Sequence, residues 1–231
     1  MPNRKRRFNL TAQESVSFGA MGAQRLTRAG RARKQQLMAE AAKLFAHSGY
    51  YATRVIDIVK SAGVAKGLFY WYFENKESLF REVVKAARDD LRRAQARALE
   101  GEPDPVQRII KGIEASLSFV ADNEHLYLLL RFAGTEDRFS SLIEEAQQIH
   151  AKDTARHIQD AMDLGRLPAA DALLLGHGVV ASVFHFARLR ASGGVEMSVE
   201  ELSEFVRDYC LRAIGVSVPD EKRASRKRAS A

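Results

Sequence analysis

Lys66, Tyr70, Trp71, Tyr72 and Lys76 bring ammonium groups, phenolic hydroxyls and flat rings into one short stretch. Ammonium groups neutralise phosphate, and tyrosine hydroxyls donate to phosphate oxygens. Trp71 suits packing on sugar or base edges, or bracing of its own helix. The residues just upstream show how the stretch is presented. Val55, Ile56, Ile58, Val59 and Ala62 recur at helical spacing, which predicts a helix from Thr53 to about Ser61. The Thr53 hydroxyl is suited to cap it. It is also suited to donate to a phosphate at the helix N-terminus, with Arg54 beside it. Gly63, within Ala62-Gly63-Val64, fits a left-handed turn that a side chain would strain. A second helix over Ala65 to Tyr72 is too short to stand alone. Two short helices joined this way form a helix-turn-helix, whose second helix enters the DNA major groove.

Further elements must hold that unit. From Ala32 to His47, the set Leu37, Ala41, Leu44 and Phe45 marks an amphipathic helix ended by Ser48-Gly49. Downstream, Asn75 is placed to cap a long helix from Lys76 to about Leu99, stopped by Gly101. Leu79, Phe80, Val83, Val84 and Ala87 would pack at its start. Arg88, Asp89, Asp90, Arg92 and Arg93 read as a solvated charge run. These elements predict a DNA-binding unit over residues 31–80.

Thr53, Ile58, Ala62-Gly63-Val64, Lys66-Gly67, Tyr70, Phe73, Lys76 and Leu79 resemble, in order and spacing, the DNA-binding domain of TetR-type transcriptional regulators. The resemblance covers roughly Arg33 to Arg81. The run Tyr70-Trp71-Tyr72-Phe73 with Asn75-Lys76 looks most like the multidrug-efflux branch. It implies DNA contacts from Thr53, Arg54, Ala65, Lys66, Gly67, Leu68, Tyr70, Trp71, Tyr72 and Lys76. It also implies a homodimer on a palindromic operator, repression, and release by a hydrophobic small molecule. Two positions depart from the family pattern. Ala65 stands where Ser or Thr usually caps the second helix. Leu68 stands where Thr is frequent, which suits contact with a thymine methyl.

The rest of the chain is predicted helical, giving an all-α protein of about nine helices with a larger second domain over 81–216. Asp104-Pro105 with Gln107 opens a helix to about Asp122. The segment His125 to Gly134 is very apolar. Ser141 with Glu144 would cap a helix to about Leu164, Pro168 would open another to about Ala191, and Ser198 with Glu201 would cap the last, ending at Gly215. Phe119, Leu126, Tyr127, Leu129, Leu130, Phe132, Phe139, Ile143, Ile149, Ile158 and Met162 form an apolar interior, either ordinary core or the wall of a ligand cavity. By the resemblance, Phe119, Tyr127, Arg131, Phe132 and His177 are the candidate ligand contacts. Arg131 would meet a carboxylate or phosphate, or snorkel to solvent. Small residues around Gly176, Gly178 and Ala181, and the stripe of the last helix, resemble the family's four-helix dimer interface. Val180, Phe184, Phe205 and Tyr209 are its candidates.

Composition narrows the classes. The chain of 231 residues has a net charge of +7. Nine basic residues against Glu14 lie within 1–34, and the last residues are basic too, leaving a mildly acidic middle. Residues 1–30 and 217–231 read as disordered basic arms suited to nucleic acid. Met21 is an alternative start. The single cysteine, Cys210, excludes an internal disulfide. No stretch of 18 residues reads as apolar enough to span a membrane, so a cytoplasmic protein is expected. The catalytic motifs G-x-S-x-G, P-loop, CxxC and HExxH are absent, so no enzyme, cofactor or catalytic residue is expected. His150 and His157, seven apart, share a helical face; surface or core positions are the ordinary outcome, and no metal is assigned. The alternative function is a DNA-bound scaffold of the same fold that recruits a protein partner without a small ligand.

Overall fold

The computed structural model describes residues 27–216. Among them are nine helices and no strand: α1 (Arg28–Ser48), α2 (Val55–Ser61), α3 (Lys66–Tyr72), α4 (Lys76–Leu99), α5 (Pro105–Asp122), α6 (Glu124–Thr135), α7 (Asp137–Asp163), α8 (Ala172–Ala191) and α9 (Val199–Ala213). The all-α expectation holds. The expected arms lie outside the described residues, except that α1 starts at Arg28, inside the segment expected to be an arm. The Thr27 hydroxyl caps it by accepting from the Gly30 N–H at 3.1 Å.

Local chemistry sets most helix ends. The Asn75 side chain accepts from Ser78 N–H at 2.8 Å and Ser78 Oγ reciprocates. Asp104 caps α5 by accepting from Val106 N–H at 2.8 Å, with Pro105 in the first turn. Ser198 and Glu201 form the expected capping box of α9.

Three starts differ from expectation. Thr53 is not a cap: α2 begins at Val55, with Arg54 N–H bonded to Asp57 at 3.1 Å. α7 begins at Asp137 and Ser141 lies inside it. Phe139 is buried there among aromatic rings, and ordering it draws the helix start upstream. α8 begins at Ala172, capped by Asp171, which accepts from Leu174 N–H at 2.9 Å. Pro168 instead packs at Gly215, where a Cβ would sit 2.7 Å from the proline ring.

The apolar residues form two cores. The first joins α1–α4 to Leu129, Ala133 and Phe139 of α6 and α7. Its rings interlock: Phe80 lies 4.5 Å from Phe139 and 5.1 Å from Tyr50, and Tyr50 stacks on Phe132 at 5.5 Å. The expected division near residue 80 therefore falls inside α4, and the first core extends across it. The second core joins α5, α7, α8 and α9 through Ile113, Leu117, Ile158, Val183, Val206 and Cys210. Burial pushes the Cys210 thiol up to about 11.

α8 corrects one expectation. Its mean hydropathy reaches 1.5 over 18 residues, enough by length and composition to cross a membrane. The composition has a local cause: one side packs tightly on α7, where Gly176 sits so close that an added Cβ would lie 2.5 Å from the Ala151 carbonyl oxygen. The other side exposes Leu174, Gly178 and Ala181.

Candidate nucleic-acid interface and interior cavity

The α2–α3 unit turns at Gly63, whose φ is +62°. Gly63 and Val64 N–H groups close the turn on the Lys60 and Val59 carbonyls at 3.1 and 3.0 Å. α3 is anchored by Phe69, fully buried, and by Phe73 just beyond its end. Such anchoring turns the other face outward. Lys66 and Gly67 are exposed, Tyr70 is 52% exposed and Trp71 54%. Lys66 Nζ lies over the Tyr70 ring at 5.9 Å. A Cβ built on Gly67 would meet nothing within 4 Å, so no neighbour within the protein requires a glycine there. Ala65 occupies the cap position without a side-chain bond, as its composition requires. Leu68 is half-buried, leaving only part of its side chain for any base contact.

Three expected DNA contacts are already engaged internally. Thr53 is 2% exposed, and its hydroxyl donates to the Gly49 carbonyl at 2.8 Å. Tyr72 donates to the Gly30 carbonyl at 2.8 Å, tying the end of α3 to the start of α1. Lys76 donates to the Tyr50 and Thr53 carbonyls, each at 2.8 Å, with its ammonium 4.4 Å from the Tyr50 ring centre. Burial lowers its pKa, and nearby Arg138 adds to the effect. Each of these side chains reaches a backbone carbonyl of another segment, and for Tyr72 and Lys76 the bond joins residues more than twenty apart, out of reach of local sequence pattern. Arg54 is exposed but forms a two-pronged pair with Asp57, both bonds at 3.0 Å. The resulting outward set is Arg54, Ala65, Lys66, Gly67, Tyr70 and Trp71.

The second half holds a partly open cavity of about 810 Å³ lined by α4, α5, α6, α7, α8 and α9. Of the expected ligand contacts, Phe119, Tyr127 and Arg131 line it. Phe132 does not; it stacks in the first core. Neither does His177, which is exposed on α8. Their sequence neighbours share the same apolar helices but point elsewhere on the 3.6-residue turn. Sequence reading missed Arg88, Arg188 and Gln147, which also line the cavity. Charged or polar residues flanked by apolar ones were the available signal.

His150 and Phe184 line this cavity and a second of about 620 Å³, which His157 also lines. Burial lowers the His150 pKa to about 4, opposed by Asp153 and reinforced by Arg92 and Arg88. Burial likewise lowers that of His157. The Nδ1 atoms of both histidines and the hydroxyl of Tyr127 are buried without a hydrogen-bond partner in the structure. Among the described residues, no group of three His, Cys, Asp or Glu could hold a metal ion.

Of the dimer candidates, Val180 is buried within the protomer and Phe184 lies on the cavity wall. Phe205 and Tyr209 are exposed, at 48% and 46%. They stack at 6.4 Å and meet Phe186 of α8 at 5.3 and 5.6 Å.

Residues 37–83 match the family described as bacterial regulatory proteins, tetR family. The HTH-type transcriptional regulator HbdR of Aromatoleum sp. strain CIB is 33% identical over 88 residues, 38% of each chain. The HTH-type transcriptional repressor KstR2 of Rhodococcus jostii strain RHA1 is 42% identical over 59 residues, covering 26% of this chain and 29% of the repressor. The match thus spans well under half the length of these curated relatives. A TetR-like transcriptional regulator from Rhodococcus sp. RHA1 has the same fold, with a TM-score of 0.66 and 21% identity over 84% of this chain and 100% of its own.

Proposed function

Because this chain carries the N-terminal domain of the tetR family, we propose that it is a sequence-specific DNA-binding transcriptional regulator that represses until a hydrophobic small molecule fills its cavity. One observation carries the reading: α3 is held by Phe69 from behind and offers Lys66, Gly67, Tyr70 and Trp71 outward. Lys66 supplies the phosphate charge and Tyr70 a hydroxyl. Gly67 allows the backbone to approach a base edge closely.

A recognition helix of seven residues reads few base pairs. Two half-sites, about 34 Å apart, are needed for useful affinity. The exposed faces of α8 and α9, with Phe205 and Tyr209, supply an apolar surface for a second copy.

α6 is the element suited to couple cavity and DNA. Tyr127, Arg131 and Gly134 line the cavity, while Leu129, Phe132 and Ala133 pack into the first core. From the junction after α6, Glu136 and Arg138 bond the Tyr51 hydroxyl at 2.6 and 2.8 Å, in the loop before α2. A ligand that binds the two positions of α6 with different affinity would shift the spacing of paired α3 helices. The open cavity favours this reading over a scaffold without a ligand. The test is selection of bound sequences from random duplex DNA with the full chain. A palindromic consensus is expected; recovery of no enriched sequence by a folded protein refutes the proposal.

A further inference from the structure

The cavity's charge is one-sided. Its lining includes Arg88, Arg131 and Arg188 but no Asp or Glu among the described residues. Arg88 is held from outside the lining by Asp89 at 3.0 Å and Glu145 at 3.2 Å. Arg188 Nη2 lies 3.1 Å from the Nδ1 of His185. Arg131 is exposed at the cavity wall, and among the described residues no ion pair is formed by either Arg131 or Arg188. Tyr127 lines the same cavity, and among the described residues its buried hydroxyl has no hydrogen-bond partner. Burial raises the phenol's pKa, and the fields of Arg188 and then Arg131 oppose that rise. Leu91, Phe119, Val120, Leu126 and Ile143 supply apolar wall, and Asn123, Gln147 and His150 add neutral polar groups to the lining.

We propose that this cavity takes an amphiphilic carboxylate, its head drawn to Arg131 and Arg188 with the Tyr127 hydroxyl and its apolar body along Leu91, Phe119, Val120 and Ile143. The inference rests on the effector reading and names the class of that effector. Guanidinium matches carboxylate in charge and geometry, and a hydrogen bond to an ion is stronger than one between neutral groups. A neutral ester of the same shape loses the charge and keeps the apolar contacts. A cation of the same length meets two unpaired positive groups.

The test is calorimetric titration of the full-length protein with dodecanoate and 1-naphthylacetate, each beside its methyl ester, and with dodecyltrimethylammonium, all below micelle formation. A carboxylate should bind about tenfold or more tightly than its ester, and the ammonium should not compete. Arg131→Gln combined with Arg188→Gln should remove that preference while leaving ester affinity within about twofold. Both residues are exposed, so the fold should survive, and the wild-type ligand series stands independently if it does not. The inference is overturned if an ester binds as tightly as its acid, if the ammonium competes, if the double variant keeps the preference, or if no probe binds. Carboxylate binding without any change in affinity for a selected duplex would sink the effector reading and leave the ligand class standing. Duplex release by the ester or ammonium alone would do the reverse.

Discussion

Lys66 and Lys76 stand ten residues apart at the same face of the sequence motif, yet replacing each by alanine should have different consequences. Lys66 is exposed and among the described residues makes no hydrogen bond; its ammonium overlies the Tyr70 ring. Lys66→Ala should leave thermal stability within about 0.5 kcal/mol, as surface changes usually do. If each copy neutralises one phosphate, a dimer loses two, and the log–log salt slope of DNA binding should become shallower by about 1.8. Lys76 instead bonds two carbonyls at 2.8 Å and a third, of Tyr51, at 3.4 Å. It pins the segment between α1 and α2 to the first turn of α4. Bonds to an ionised donor are worth about 1.5–3 kcal/mol each, reduced here by partial exposure, so Lys76→Ala should cost about 2–4 kcal/mol. For a protein of this size that is a fall in Tm of roughly 8 °C. Circular-dichroism melts and fluorescence anisotropy with a selected duplex across a salt series measure both quantities. An unchanged Tm for Lys76→Ala, with a slope change equal to that of Lys66→Ala, would falsify the division between the two lysines.

Three other outcomes are expected. His150 is neutral in the fold with a pKa near 4, against an ordinary 6.5. The unfolded chain binds the proton first, so stability should fall as pH drops from about 6.5 to about 4, by up to about 3 kcal/mol. Denaturant titrations at successive pH values should show this, and His150→Gln should flatten that window. Gly176→Ala places a methyl 2.5 Å from the Ala151 carbonyl oxygen; spreading α7 from α8 should cost about 1–3 kcal/mol in the same assay. Phe205→Glu with Tyr209→Glu puts charge on the exposed α9 stripe and should shift sedimentation towards monomer while leaving helical content unchanged; a dimer of undiminished affinity would place the interface elsewhere.

Much of this architecture was legible because its signals are local. Asn75 with Ser78, Asp104 with Val106, and Ser198 with Glu201 fix helix starts through bonds between residues two or three apart. A reader of sequence sees both partners at once. Errors arose where a distant partner decided. Thr53 has the chemistry of a cap, but the Gly49 carbonyl at the end of α1 captures its hydroxyl. Tyr72 has the chemistry of a phosphate donor; in this protein its hydroxyl donates to the Gly30 carbonyl of α1 at 2.8 Å, a partner its sequence neighbourhood does not show. Ser141 and Glu144 match a capping box, yet Phe139 is needed in an aromatic cluster built from four helices, and α7 starts early to deliver it. The cavity was legible only as an apolar list. Which turn of α6 faces inward separates Tyr127 and Arg131 from Phe132, and that depends on α1 occupying the opposite side.

Trp71 is the chain's single tryptophan, and α3 carries it half in water on the face proposed to meet the duplex. The indole is absent from the walls of both large cavities. The protein thus holds a built-in optical reporter with one address: emission excited at the indole band should respond to docking on DNA and stay silent while a small molecule fills the interior of the unbound chain. Engagement can then be followed apart from occupancy without adding a dye.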